Sequence, residues 1–585
     1  MMAQGWLQIA LFIAIVVALT RPLGAYMARV YSGQRVFLSP VLGGAERLTY
    51  RALRVDPDEE HDWKAYAKSV VLFSLVSWIV LYAILRTQGI QPFNPSGFDS
   101  GPWDVSFSTA SSFVSNTNWQ FYGGETTLSY FSQMVGLTVQ NFVTPAVGAC
   151  VLVAMTRGIV SRGGRSLGNF WQDLVRTVYY ILLPLSIVLG LVLVSQGVVQ
   201  TLGNAVTLTT IEGANQTLAL GPAASQIAIK QLGTNGGGFF NVNSAMPFEN
   251  SSQLTNFLEL IAIIMIPAAL TYTYGRLAGR QREGWAIFAA MLAIYIALIA
   301  VIIPAEQHGT PAQHAAGTPT AAVDGSTGGN LEGKEQRNGI TGSALWATTT
   351  TVTSNGSVNS AHESYTGLGG AVPMAGLASS EVVFGGVGTG LYTMLLFVIL
   401  AVFIGGLMVG RTPEYLGKKI QAREIKLISL GVLFTPLAVL VTAGLATATR
   451  AGTRSIYESG PQGFSETLYA YLSQANNNGS AFAGYTGFIQ PNAPGNEGAY
   501  GISFADLLGG ATMTLARFVP IILVLAVAGS LATKRVSPAG PGTMRTDTPT
   551  FVVLLVGVVI LVGALTFFPA LLLGPIVQSL STRLF

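Results

Sequence analysis

Long apolar runs broken by short polar connections set the rhythm of this chain. Stretches long enough to cross ~30 Å of hydrocarbon as helices lie near 5–27, 69–88, 128–156, 178–197, 254–275, 284–303, 391–409, 427–448, 511–532 and 550–573. Ten spans are therefore predicted. Every second connection gathers basic residues: Arg47, Arg51 and Arg54; Arg157, Arg162 and Arg165; Arg276, Arg280 and Arg282; Lys418, Lys419 and Arg423; Lys534 and Arg535. Positive residues stay on the cytoplasmic side, which places both termini outside. The run from Trp6 to Thr20 has no basic residue before it, Arg21 after it and no small-residue cleavage site. It reads as a first span rather than a secretory signal.

The other connections hide a repeat. Four polar motifs recur between paired spans: Asn116-Thr117-Asn118, Thr234-Asn235-Gly236, Ser354-Asn355-Gly356 and Asn477-Asn478-Gly479, with third positions 118, 120 and 123 residues apart. Each follows a short semi-apolar segment with helix-start chemistry, namely Asp104 before 105–114, Pro222 before 223–232, Ser343 before 344–352 and Ser465 before 466–474. Asp and Ser are favoured caps and Pro is favoured in a first turn. The expectation is an all-α polytopic fold of four pseudo-symmetric span, pore-loop, span repeats with one extra helix at each end. The repeats fall at 69–160, 170–280, 284–411 and 424–535, flanked by a first helix at 1–30, a cytoplasmic segment at 31–68 and a last helix at 550–573.

Composition agrees with lipid as the main solvent: half the residues are hydrophobic, mean hydropathy is +0.51 and only 10% are charged, against roughly 25% in soluble domains. The net charge of +4 is small and scattered, which excludes a nucleic-acid partner. Cys150 is alone, so no disulfide framework exists, and it reads as packing in an apolar helix. The stretch 304–340, rich in Gly, Ala, Thr and Gln, is expected to be an exposed flexible loop. Charged positions around apolar ones from Ser39 to Lys68 suit either a cytoplasmic docking segment or an interfacial helix.

The four loops carry the chemistry. A bare cation in low dielectric must regain what its hydration shell supplied, and rings of backbone carbonyls can do this. Irregular backbone is tolerated at membrane depth only where it lines such a cavity, and Gly, then Asn, adopts the required dihedrals most cheaply. Each pore helix would also aim about half a negative charge at the ion.

The stretches FVSNTNWQ, GTNGGGFFNVNS, EGKE, VVFGGVG, GRTPEYLGKKI, ANNNGSAFAG and VGALTFFPALLLGP strongly resemble KdpA, the potassium-binding subunit family of the bacterial Kdp potassium-transporting ATPase, almost end to end. The resemblance implies that the twelve loop residues line a potassium site and that Gln120 tunes its affinity. It further implies a lateral ion path past 385–390 toward an ATP-hydrolysing P-type ATPase subunit, with small accessory subunits, in the bacterial inner membrane. Outside that resemblance, a self-sufficient potassium channel or ion-coupled carrier would need the same pore plan, and a purely structural scaffold would not.

Other residues are read singly. Arg517 lies inside a span, where a charge by default marks function; it either bars leakage below the filter or snorkels or pairs with an acid. Gly385, Gly386, Gly388 and Gly390 suit a broken helix serving as a gate, or simply close packing. Glu125, Glu249 and Glu363 follow the first three loops and either concentrate cations at the mouth or are solvated or hydrogen-bonded carboxylates. His61 and His362 lack partners at metal-ligand spacing and are expected to be solvated. The segment Gly328 to Lys334 approaches a phosphate-binding loop, but Glu335 replaces the Ser or Thr and no strand precedes it. No catalytic residue and no bound nucleotide are expected, and ATP hydrolysis is assigned to another chain.

Overall fold

The computed structural model describes residues 3–323, 326–485, 504–538, 540 and 543–581; parts of two predicted segments, the 304–340 loop at 324–325 and the fourth repeat at 486–503, lie outside them. Among the described residues, ten helices are long and apolar enough to cross a membrane, in the order the hydropathy predicts. The chain is a multi-pass, helical membrane protein.

Its helices form two rings. In each repeat an outer helix leads to a short pore helix, a loop and an inner helix. The outer helices are Trp63–Arg86, Phe170–Ser195, Gln281–His308 and Ala422–Ala448. Inner helices 1, 2 and 4 are Ser132–Val160, Gln253–Leu277 and Phe504–Ala532, and inner helix 3 is split into Gly367–Ala378 and Thr389–Met408. Burial separates the rings: 83% and 78% of the most apolar stretches of inner helices 1 and 2 is buried, against 22% and 33% for outer helices 1 and 2. Outward-facing Leu72, Leu75 and Ile79 on outer helix 1 are exposed, as lipid contact permits. The first helix, Gln4–Tyr31, packs along inner helix 2, and the last, Pro549–Leu580, along outer helix 3.

Local chemistry explains the helix ends. The Asp62 carboxylate accepts the Ala65 amide, so outer helix 1 starts a turn and a half before its apolar run. Ser252 and Thr255 form a reciprocal capping box on inner helix 2, and Asn169 caps outer helix 2. Pro145, Pro267, Pro436 and Pro520 sit inside spans, where each removes one amide donor from the helix ladder.

The pore helices are Trp103–Val114, Ala223–Leu232, Gly339–Val352 and Gly460–Ala475. Their ends fall where the motifs place them, but three starts do not. Asp104 lies in the first turn behind Pro102, while Ser343 and Ser465 lie inside their helices. Both serines are fully buried, and the Ser465 hydroxyl donates to the Pro461 carbonyl one turn back at 2.8 Å, which satisfies it within the helix instead of at a cap.

The stretch 304–340 is not the loose loop its composition predicts. Outer helix 3 runs on to His308, a short helix follows at Pro311–Ala315, and Lys334 and Glu306 form an ion pair of 2.8 Å with both side chains fully buried. Asn330 donates to Glu306 at 3.0 Å and the Thr366 amide donates to it at 2.8 Å, so a single buried carboxylate folds the segment onto the start of inner helix 3. Between Ser39 and Leu53 an amphipathic helix docks through Glu46, which accepts from Tyr50 at 2.9 Å and Tyr180 at 2.7 Å; Val41 and Leu48 stay exposed.

Candidate ion filter

The four loops have one backbone conformation. In each, the first and third residues have positive φ: Asn116 (69°) and Asn118 (56°), Thr234 (49°) and Gly236 (79°), Ser354 (51°) and Gly356 (88°), Asn477 (50°) and Gly479 (98°). In each, the second residue's amide returns to a pore-helix carbonyl five residues back: Thr117 to Ser112 at 2.9 Å, Asn235 to Lys230 at 2.9 Å, Asn355 to Thr350 at 3.0 Å and Asn478 to Ser473 at 2.8 Å. Alternating the sign of φ turns successive carbonyls to the same side, which a regular helix or strand cannot do.

The loops meet in a ring. A Cβ on Gly236 would overlap the Asn355 carbonyl oxygen, one on Gly356 that of Asn478, and one on Gly479 that of Thr117. Loop 2 thus abuts loop 3, loop 3 abuts loop 4, and loop 4 abuts loop 1. The remaining junction is made by a side chain, as Asn118 Nδ2 donates to the Gly236 carbonyl at 3.3 Å and to Asn141 Oδ1 at 2.7 Å. Gly is needed in three third positions because each neighbour's carbonyl fills the place of a side chain. The ring is tied outward too: Asn355 donates to the Lys230 carbonyl at 3.1 Å and Asn478 to the Thr350 carbonyl at 2.7 Å, equivalent bonds to the preceding pore helix.

Above the ring lies a cavity of about 740 Å³ that reaches all four loops through Asn118, Gly237, Gly356 and Gly479. Gln120 lines it, and its Oε1 accepts the Gly238 amide at 2.9 Å, so it braces loop 2. Of the acidic residues expected at the mouth, Glu125 is half-buried and accepts the Asn241 amide at 2.9 Å, and Glu363 accepts the Gly484 amide at 2.6 Å. Burial raises the Glu363 pKa.

Three expectations need correction. Glu249 is no solvated mouth residue: it is fully buried, ion-paired with Lys230 of pore helix 2, and accepts the Phe240 amide at 2.9 Å. Lys230 also donates to the Gly237 carbonyl at 3.1 Å, so this pair shapes the turn after loop 2. His362 is buried and bonded through Nδ1 to the Tyr469 hydroxyl at 2.8 Å; burial, with the Lys334 ammonium beside it, pushes its pKa down to about 3. His61 is buried as well, its backbone paired with Leu167 and Gly168.

Below the ring, Arg517 is 4% exposed and donates to Thr389 at 2.8 Å, so it does not snorkel. It shares a small cavity of about 20 Å³ with Glu381, Asn476 and Asn477. The glycines at 385–390 occupy a true break: Ser380, Glu381, Phe384 and Gly388 have positive φ, and a Cβ on Gly388 would overlap the Gly148 carbonyl of inner helix 1. Neither Lys230 nor Glu381 was singled out from the sequence. A lone charge within an otherwise apolar or glycine-rich segment was the available signal in both cases.

A family model described as the potassium-transporting ATPase A subunit, KdpA, matches residues 10–580. The chain belongs to the KdpA family. It is 55% identical over 589 residues to the potassium-transporting ATPase potassium-binding subunit of Sorangium cellulosum, with 99% of each chain covered. Its counterpart in Mesorhizobium japonicum is 51% identical over 581 residues, again with 99% of each covered. The fold is similar to that of the potassium transporter TrkH from Vibrio parahaemolyticus, with a TM-score of 0.51 at 14% identity, covering 79% of this chain and 84% of that one. That likeness concerns the fold alone.

Proposed function

We propose that this KdpA-family chain binds potassium in the four-loop ring and passes it to an ATP-hydrolysing partner subunit of a potassium-uptake pump. The observation that carries the reading is the shared backbone of the loops, with positive φ at first and third positions in all four. Carbonyls so aimed replace the hydration shell of a dehydrated cation, and the pore helices add their negative ends. Asn116, Thr117, Asn118, Thr234, Asn235, Gly236, Ser354, Asn355, Gly356, Asn477, Asn478 and Gly479 form the site. Gln120, Lys230 and Glu249 hold loop 2 in place. The vestibule faces outside, with both termini on that side, and the membrane is the bacterial inner membrane. Arg517 opposes an ion continuing straight below the ring, and the glycine break at 385–390 forms the wall of a sideways exit. Nucleotide is bound by the partner.

Potassium-dependent ATP hydrolysis by material purified through a tag on this chain tests the proposal. Hydrolysis stimulated by low potassium, with ATPase subunits co-purifying, is expected. Potassium flux through the isolated chain, with no ATPase, would overturn it in favour of an autonomous channel or carrier.

A further inference from the structure

The sequence Gly-Arg-Thr-Pro-Glu-Tyr-Leu-Gly-Lys-Lys-Ile lies at the end of the pore opposite the filter and takes no part in the ion site. It forms a two-residue β-hairpin, Glu414–Tyr415 paired with Lys418–Lys419, with Leu416 and Gly417 at positive φ in its turn. Tyr415 and Lys418 are each 1% exposed, which is unusual for a polar hairpin just beyond a span.

The hairpin bonds to the last turns of inner helices 1, 2 and 4. Lys418 Nζ donates to the Gly158 carbonyl of inner helix 1 at 3.0 Å and to the Leu531 carbonyl of inner helix 4 at 2.5 Å. The Tyr415 hydroxyl meets that of Tyr274, in the last turn of inner helix 2, at 2.6 Å. Inner helix 3 runs directly into the hairpin, and the Arg411 amide bonds back to its Gly406 carbonyl at 2.8 Å. The Ser537 amide donates to the Gly417 carbonyl at 2.8 Å and Lys534 to the Lys419 carbonyl at 2.7 Å, so the chain after inner helix 4 is tied down as well.

Helix C-termini carry unpaired carbonyls and partial negative charge. An ion leaving a pore between four of them would find its most favourable exit seat there. Lys418 holds that seat with a tethered cation. Among the described residues it has no carboxylate within ion-pair distance, so helix carbonyls alone receive its charge. Burial, followed by the Lys534 ammonium, lowers its pKa to about 8, which leaves it charged at neutral pH.

We infer that the Glu414–Lys419 hairpin is the seal of the pore end opposite the filter, with Lys418 as a positioning residue that locks inner helices 1 and 4 together and denies the ion a straight exit. This rests on the proposed potassium-transport function. A pump requires such a seal, because a leak dissipates the gradient that ATP hydrolysis builds.

The test uses the full complex of this chain with its ATPase subunits, reconstituted in vesicles. Two quantities are read: rubidium efflux without ATP, and the potassium concentration for half-maximal ATPase stimulation. Lys418→Met should raise ATP-independent efflux at least tenfold while leaving the half-stimulating concentration unchanged, because the filter is distant. Lys418→Arg should remain tight. Efflux from Lys418→Met no greater than from wild type, in complexes that still respond to potassium, overturns the seal. Where Lys418→Met fails to assemble, Lys418→Gln, which keeps a donor for one carbonyl, decides between the same two outcomes. A wild-type complex whose ATPase ignores potassium would instead count against the proposed function.

Discussion

Gly236→Ala adds one methyl group where the loop ring has no room for it. The new Cβ would overlap the Asn355 carbonyl oxygen and sit 2.8 Å from its carbon and 2.9 Å from the Asn478 carbonyl oxygen. Ordinary contact begins near 3.4 Å, so loop 3 must retreat by about 1.5 Å, a large displacement for a close-packed interior. Ala also pays ~1–2 kcal/mol for the left-handed backbone at φ 79°, and overpacking adds ~1–3 kcal/mol. An empty ring can relax by spreading, whereas an ion-bound ring cannot. Roughly 2–3 kcal/mol of the overpacking therefore falls on binding, which raises the half-saturating potassium concentration about 30- to 150-fold. The assay is potassium-stimulated ATP hydrolysis by the intact complex, repeated with rubidium and sodium. Gly356→Ala should behave alike, since its Cβ would overlap the Asn478 carbonyl oxygen and lie 2.6 Å from the carbonyl carbon. Gly236→Asp should lose more affinity and selectivity than Gly236→Ala. Unchanged half-saturation in both alanine variants would refute the ring as the ion site.

Lys230→Met leaves the Glu249 carboxylate buried without its partner, a loss of about 3–5 kcal/mol; thermal melting of the purified complex should fall sharply and recover in part in Lys230→Met/Glu249→Gln. Arg517→Gln removes the charge beneath the filter, and ATP-independent rubidium efflux should rise; efflux equal to wild type would sink its assignment as a barrier. His362 has its folded pKa at about 3, below its ordinary 6.5, so the unfolded chain binds the extra proton between those values and stability present above pH 6.5 is progressively lost as pH falls toward 3. Glu363, with its raised pKa, opposes this trend. Melting temperature measured from pH 7.5 to 5 should decline, and His362→Gln should flatten the curve.

The parts of this architecture that obey a local rule were legible in the sequence. Span count follows from apolar length, and the loops follow from Asn and Gly at positions that demand positive φ. What was hidden depends on pairing across distance. Glu249 reads equally as a cation-gathering mouth residue or as a solvated or hydrogen-bonded carboxylate until Lys230, one turn before the loop, is seen to face it. Glu306 and Lys334 make a polar stretch fold because their charges cancel out of water; composition counts those charges as solvent-loving. Ser343 and Ser465 have the chemistry of caps, but a hydroxyl can return its proton to its own helix, as Ser465 does, and only the surrounding packing decides where a pore helix begins. Glu381 escaped notice because its importance lies in sharing a cavity with Arg517, more than a hundred positions away.

The loop ring behaves as a clasp with one seam. At three junctions a backbone carbonyl occupies the hollow left by a glycine, and any added atom there is a collision passed on to the next loop. At the fourth, between loops 1 and 2, the joint is made by the Asn118 amide, with Gln120 bracing the same loop from above. Replacing Asn118 at this seam rearranges hydrogen bonds instead of forcing atoms through one another. Such a filter can be retuned from one side while the other three joints keep their shape, which a ring of four identical loops would not allow.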